Sequence, residues 1–127
     1  MNKDGFYRKA MPLLEAAVAE LRPQVGGVRF VLEGSVEGDI ILGAFFEIPR
    51  AETDLLQLII SFREVDGVDV MDAQVIWDHD SLCVEADEPE QGAAPATADN
   101  LEHLIAELPR LIGAFKAAIL RGRPADA

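Results

Sequence analysis

The chain has 127 residues, half of them hydrophobic and 27% charged, which is enough apolar material for one domain core and too little chain for two. The 23 acidic residues outnumber the 11 basic ones, and the net charge of −12 argues against a protein that binds nucleic acid through its phosphates. The single cysteine, Cys83, excludes an internal disulfide. Because no leader or membrane-spanning run is evident, we expect one cytoplasmic domain over residues 1–127.

The N-terminal part of the chain is predicted to be a helix. Apolar residues recur there at spacings of three and four, which places them on one helical face: Tyr7, Met11, Leu14, Val18 and Leu21. Proline is tolerated in the first turn of a helix, where its missing N–H has no partner to lose. We therefore expect the regular helix to begin at Pro12 and to end at Pro23.

The pattern then changes to the alternation that is typical of strands. Four alternating runs follow one another along the chain: Val28–Leu32, Ile40–Ile48, Val68–Trp77 and Leu82–Ala86. The run Ile40–Ile48 is apolar on both of its faces, which predicts a strand that is covered on two sides. The polar segment 88–98 contains proline, glycine and alanine and is expected to form a mobile connection.

The segment Leu55–Val65 fits two structures. Alternate residues from Leu56 to Phe62 would share one face of a strand, whereas spacings of three and four would form a helical stripe beginning at Leu55. Asp66-Gly67 is a tight-turn signal that leads into the next alternating run. We therefore favour a strand over a helix.

The strongest helical pattern comes last. Apolar residues follow at helical spacing from Leu101 to Ile119, and Asp99 with Glu102 forms a capping box before them. Pro109 lies inside this pattern and predicts a kink or a break near Leu108. The tail 122–127 is expected to fray. The fold class is therefore α+β, with an antiparallel sheet of about five strands flanked by an N-terminal helix and a long, kinked C-terminal helix.

The charges are distributed unevenly. No Lys or Arg occurs between Arg63 and Arg110, whereas 13 acidic residues do. The interval is either a solubilising face or a docking surface for a protein or peptide with a basic surface. In the second case we expect these residues to contact the partner: Asp66, Asp69, Asp72, Asp78 and Asp80.

The chain offers weak signals for metal binding and catalysis. Asp78-His79-Asp80 resembles a fragment of a metal site, but Asp69 and Asp72 would point to opposite faces of a strand and could not complete it. Cys83 lies in a strand beside Glu85, whose negative charge would raise the pKa of the thiol and make it less reactive. We expect no metal, no cofactor and no catalytic residue.

The apolar stripe of the last helix has two interpretations. Its default role is to cover the sheet. The stripe is long for so small a sheet, however, and the two-sided strand Ile40–Ile48 indicates more apolar surface than one domain buries. Such an excess often becomes a homodimer or peptide-binding face. We therefore assign a candidate partner-binding role to four of its residues: Leu104, Leu108, Leu111 and Phe115.

Val68–Ala86 followed by Leu101–Leu120, in a small acidic chain with a leading helix, resembles the class I type III secretion chaperones and the related sensory-transduction-regulator domains. The resemblance implies a homodimer that binds an unfolded or extended protein segment, without catalysis or cofactor. It also implies a helix between two groups of strands, where we favour a strand for Leu55–Val65.

The leading hypothesis for function is a non-catalytic adaptor or chaperone-like protein that forms a homodimer and binds a basic partner. Two alternatives stay open. The chain could be an immunity or inhibitor protein that masks a basic site on a toxin or enzyme, or a small enzyme that uses carboxylates. A helix over 55–65 would favour the chaperone family, and a strand would favour an unrelated α+β binding protein.

Overall fold

A computed structural model describes residues 1–46, 54–79 and 82–121. It contains two helices and five strands, with a short 3₁₀ turn, Arg22–Gln24, after the first helix. The elements in chain order are α1 (Lys3–Leu21), β1 (Val28–Gly34), β2 (Ile40–Phe46), β3 (Asp54–Val65), β4 (Val68–His79), β5 (Leu82–Pro95) and α2 (Ala98–Arg121).

The five strands form one antiparallel sheet in the order β1-β2-β3-β4-β5, so that each strand pairs with the next one along the chain. The predicted α+β fold class is therefore confirmed. None of the helices in the described part of the chain is long and apolar enough to cross a membrane.

Residues 55–65 belong to strand β3, as favoured from the sequence. The hairpin that follows has a two-residue turn, because Val65 and Val68 are register partners. Asp66 and Gly67 both have positive φ angles, 51° and 78°, which is the conformation that a type I′ hairpin turn requires. The helix that the chaperone resemblance implies between two groups of strands is absent from the described residues, so the fold differs from that expectation.

The first helix begins nine residues earlier than predicted. Asn2 is its N-cap, and its side-chain oxygen accepts a hydrogen bond from the backbone N–H of Gly5 at 2.9 Å. Pro12 lies in the helix interior, where it costs about 3 kcal/mol. Phe6 and Ala10 are fully buried on the same helix, and the burial of this first part of the helix offsets the cost of the proline.

The last helix also differs in detail from its prediction. It continues through Pro109 to Arg121, so of the two expected outcomes, a kink or a break near Leu108, the break is absent. The cap is Thr97 rather than Asp99, since the Thr97 hydroxyl accepts a hydrogen bond from the backbone N–H of Asn100 at 3.2 Å. Asp99 adds negative charge to the first turn, where it complements the helix dipole.

Strand β5 is much longer than expected. The sequence predicts a strand that ends at Ala86 and a connection over 88–98, whereas β5 continues to Pro95. Its pairing with β4 changes register twice, between Met71 and Ala73 and between Gln74 and Ile76. β4 extends through twelve residues, and pairing with the polar segment satisfies its backbone hydrogen-bonding groups. The predicted frayed tail 122–127 lies outside the described residues.

Both helices pack on the same face of the sheet. The core combines the buried sides of α1 and α2 with alternate residues of the three central strands, Ile40–Phe46 in β2, Leu56–Ile60 in β3 and Met71–Val75 in β4. Phe6 of α1 contacts Phe62 of β3 edge to face, with ring centroids 5.7 Å apart. The opposite face of the sheet carries none of the described helices.

Candidate protein-binding surface

The face of the sheet opposite the helices carries a group of apolar side chains. Strand pairing places them side by side: Val31 is the register partner of Gly43, Ile41 of Ile59, and Phe45 of Leu55. Register partners in a sheet share a face. We define the open-face patch as six apolar residues on this face, Val31, Ile41, Phe45, Leu55, Ile59 and Ile76, which surround the polar residue Gln57, the register partner of Gly43 and of Ile76.

Most of the patch side chains are partly exposed. Ile76 is 7% exposed and forms the floor, while the other five side chains are half-buried. Ile76 does not belong to the core cluster on the helix side of the sheet. Gly43 has no side chain, and a Cβ at this position would lie in ordinary contact with Leu55, at 3.5 Å.

Polar groups border the patch. The guanidinium group of Arg29 lies over the Phe45 ring, 4.4 Å from its centroid, in a cation–π contact. Arg63 donates a hydrogen bond to Asp72 at 2.9 Å. On the β5 side, Glu85 and Glu90 are the register partners of Ile76 and Gln74.

The structure separates the acidic residues that the sequence grouped into one docking surface. Asp69 forms an ion pair with Lys3 of α1 at 2.7 Å, whereas Asp72 pairs with Arg63. The two carboxylates lie on opposite faces of β4, as strand alternation predicts. Asp66 occupies the hairpin turn.

The two remaining acidic candidates are only partly described. Asp78 lies in β4, as the register partner of Leu55 and Cys83, and Asp80 lies outside the described residues. Because the fold brings Lys3 to Asp69 and Arg63 to Asp72, the base-free interval of the sequence is not a base-free surface.

The apolar candidates of the last helix lie in the core. All four have 0% exposed surface: Leu104, Leu108, Leu111 and Phe115. They pack between α1 and the sheet, so a partner could contact them only by separating the helix from the sheet. These four residues therefore have the default role of the apolar stripe, which is to cover the sheet.

The described side chains offer little that resembles a reaction centre. They contain no group of three or more histidine, cysteine or acidic residues that could hold a metal ion. The pKa of the Glu107 carboxyl is lowered by the hydrogen bond from Arg110 and by its charge, with a smaller contribution from His103. This pair lies on the surface of α2, three residues apart in one helix, and is an ordinary helix-stabilising pair.

Sequence reasoning counted the two-sided strand Ile40–Ile48 toward an excess of apolar surface but assigned none of the open-face patch to a site. The signal was present in β2, whose two faces are both apolar, but the strand was expected to be covered on both sides. The location of the helices was needed to show which of the two faces is left open.

No protein-family model matches the chain, and no curated protein or solved structure matches it either.

Proposed function

We propose that the chain is a non-catalytic protein-binding module whose partner docks on the open face of the sheet. The observation that carries this proposal is the open-face patch, in which six apolar side chains lie together on a face without a described helix. Contiguous apolar surface on a folded domain usually marks an interaction site.

The size of the face supports a protein partner rather than a small ligand. Five strands about 4.8 Å apart and seven residues of about 3.3 Å each give a face of about 24 by 23 Å, or about 550 Å² in projection. Side chains make the accessible area larger than the projection. One side of a stable protein–protein interface buries about 800 Å², so a partner that covers this face would form an interface of ordinary size.

The charges indicate the chemistry of the partner. The chain carries a net charge of −12, and acidic residues of β5 occupy register positions beside Ile76 and Gln74. A partner with an apolar centre and basic residues facing the β5 side of the patch would match this arrangement and would associate faster at low salt. An inhibitor that covers the basic site of an enzyme would be one case of such a module, and loss of the enzyme's activity on binding would identify it.

The proposal is tested by photocrosslinking in the native cell. A photoreactive phenylalanine analogue replaces Ile59, the patch residue on the central strand β3 that pairs with Ile41, and in a matched control it replaces Leu120, which is 55% exposed on α2. We expect position 59, and not position 120, to crosslink to a specific protein. Crosslinking of that protein through position 120 alone would overturn the proposal.

Affinity measurements with the captured partner complete the test. Ile59→Thr retains a β-branched side chain and removes apolar contact area, while Val65→Thr makes a comparable change at the exposed end of the same strand. Loss of one or two buried methyl groups should weaken binding about tenfold for Ile59→Thr. Equal affinities for Ile59→Thr and Val65→Thr would contradict docking on the patch.

A further inference from the structure

The two edges of the sheet differ in their capacity to pair with another strand. β5 forms one edge, contains Pro89 and Pro95, and changes register twice against β4. Prolines and bulges are features that prevent pairing at an edge. β1 forms the other edge, contains no proline and pairs regularly with β2 over all seven of its residues. β1 is therefore the edge that is suited to accept a further strand.

The sequence of β1 is complementary to itself. An antiparallel pair of β1 strands centred on Val31 would place Arg29 of one copy opposite Glu33 of the other, twice, because the two residues are equally far from the centre. Arg29, Val31 and Glu33 alternate along β1 and so share the open face. Opposite charges at directly paired positions stabilise a sheet.

The other face of β1 shows the same self-complementarity. Phe30 and Leu32 point to the helix side but remain half-buried, because α1 leaves a groove of about 250 Å³ beside them, lined by Glu15, Val18, Ala19, Arg22, Phe30 and Leu32. In the same register, Leu32 of a second copy would lie beside Phe30, and Phe30 of that copy beside Leu32. Phe30 and Leu32 of the two copies would thus form two equivalent apolar contacts, one beside the groove of each copy.

We propose that two copies of this chain pair through β1, in antiparallel register centred on Val31, to form a continuous ten-stranded sheet. The interface is isologous, since each copy contributes the same strand. It leaves both sets of helices on one side and joins the two open-face patches on the other. This inference goes beyond the proposed function, because it concerns the purified chain alone.

The test is the dissociation constant of the dimer, measured by sedimentation equilibrium on the purified chain. Arg29→Glu and Glu33→Arg each place like charges at both paired positions, and we expect each to raise the dissociation constant at least about tenfold. The double variant, Arg29→Glu with Glu33→Arg, restores opposite charges and should restore dimerisation. An equimolar mixture of the two single variants should form a heterodimer. Lys9→Glu, which makes the same change in charge as Arg29→Glu at an exposed position of α1, should have little effect.

A crosslink tests the register independently. In a Cys83→Ser background, Val31→Cys places two thiols at the centre of the pair, where Cα atoms about 4.5–5.5 Å apart allow a disulfide. We expect oxidised glutathione to link the dimer through position 31, and not through a control cysteine at the exposed residue Ser35. A wild-type chain that is monomeric at 100 µM (about 1.4 mg/ml) would overturn the proposal. So would a dimer whose dissociation constant is unchanged by Arg29→Glu and Glu33→Arg.

Discussion

Replacing Leu108 by alanine distinguishes a core role for the C-terminal stripe from a docking role. Leu108 has no exposed surface and belongs to the core between the helices and the sheet. Truncating a fully buried leucine costs about 2–5 kcal/mol, because apolar contact is lost and a cavity remains. Leu120 on the same helix is 55% exposed, and Leu120→Ala should change the free energy of unfolding by less than about 0.5 kcal/mol.

Urea unfolding monitored by circular dichroism measures both variants. With a denaturant slope of about 2 kcal/mol per molar urea, a loss of about 3 kcal/mol lowers the unfolding midpoint by about 1.5 M. We expect this shift for Leu108→Ala and almost none for Leu120→Ala. If Leu108 instead formed a docking surface on the single chain, both variants would unfold at nearly the same midpoint. That result would refute the packing described above.

Three further predictions concern local structure. Gly67→Ala should lower the free energy of unfolding by about 1 kcal/mol in the same urea assay, because Gly67 has a φ of 78° that alanine rarely adopts. A Cβ would meet no neighbour at Gly67 or at Gly26, and Gly26 has no positive φ, so Gly26→Ala should have a smaller effect. Asn2→Ala should destabilise the chain by about 1 kcal/mol and Asn2→Ser should not, since only alanine removes the cap of α1; equal thermal midpoints would contradict this capping role. Arg110→Gln should raise the pKa of Glu107 in an NMR titration, because the lowered pKa depends first on the hydrogen bond from Arg110, and an unchanged pKa in the variant would exclude Arg110 as the cause. The small stabilisation from this exposed pair is present above the ordinary pKa of glutamate and disappears as the pH falls through the lowered pKa.

The features that were predicted correctly depend on neighbouring residues. The hairpin between β3 and β4 follows from Asp66-Gly67 and the alternation on either side of it, and both residues adopt the positive φ that such a turn requires. The inward face of β3 follows from the alternation of apolar residues in the same way. Such signals are present within a few residues of sequence.

The features that were missed depend on residues far apart in the chain. Pro12 was expected to begin a helix, but the burial of Phe6 and Ala10 against the rest of the fold extends the helix past it. The segment 88–95 lacks the pattern of a strand and becomes one by pairing with β4. Local propensity is overridden in both cases by tertiary contacts.

The candidate site could be predicted only in part for the same reason. The apolar residues on the second face of β2 were visible in the sequence, but the side on which both helices pack was not. The run of acidic residues suggested a single negative surface, whereas Lys3 and Arg63 pair with Asp69 and Asp72 in the fold. The sequence spacing of charges therefore gave a poor guide to their spatial distribution.

The most direct test of the proposed function is a methyl NMR spectrum of the isoleucine-labelled chain, recorded with and without the partner protein that photocrosslinking identifies. Isoleucines divide between the two faces of the sheet: Ile41, Ile59 and Ile76 belong to the open-face patch, while Ile40 and Ile60 lie in the core against the helices. Docking on the open face predicts that the first three methyl signals shift or broaden when the partner is added, with smaller changes for the other two. Unchanged signals from Ile41, Ile59 and Ile76 in a chain that binds the partner would contradict the proposal.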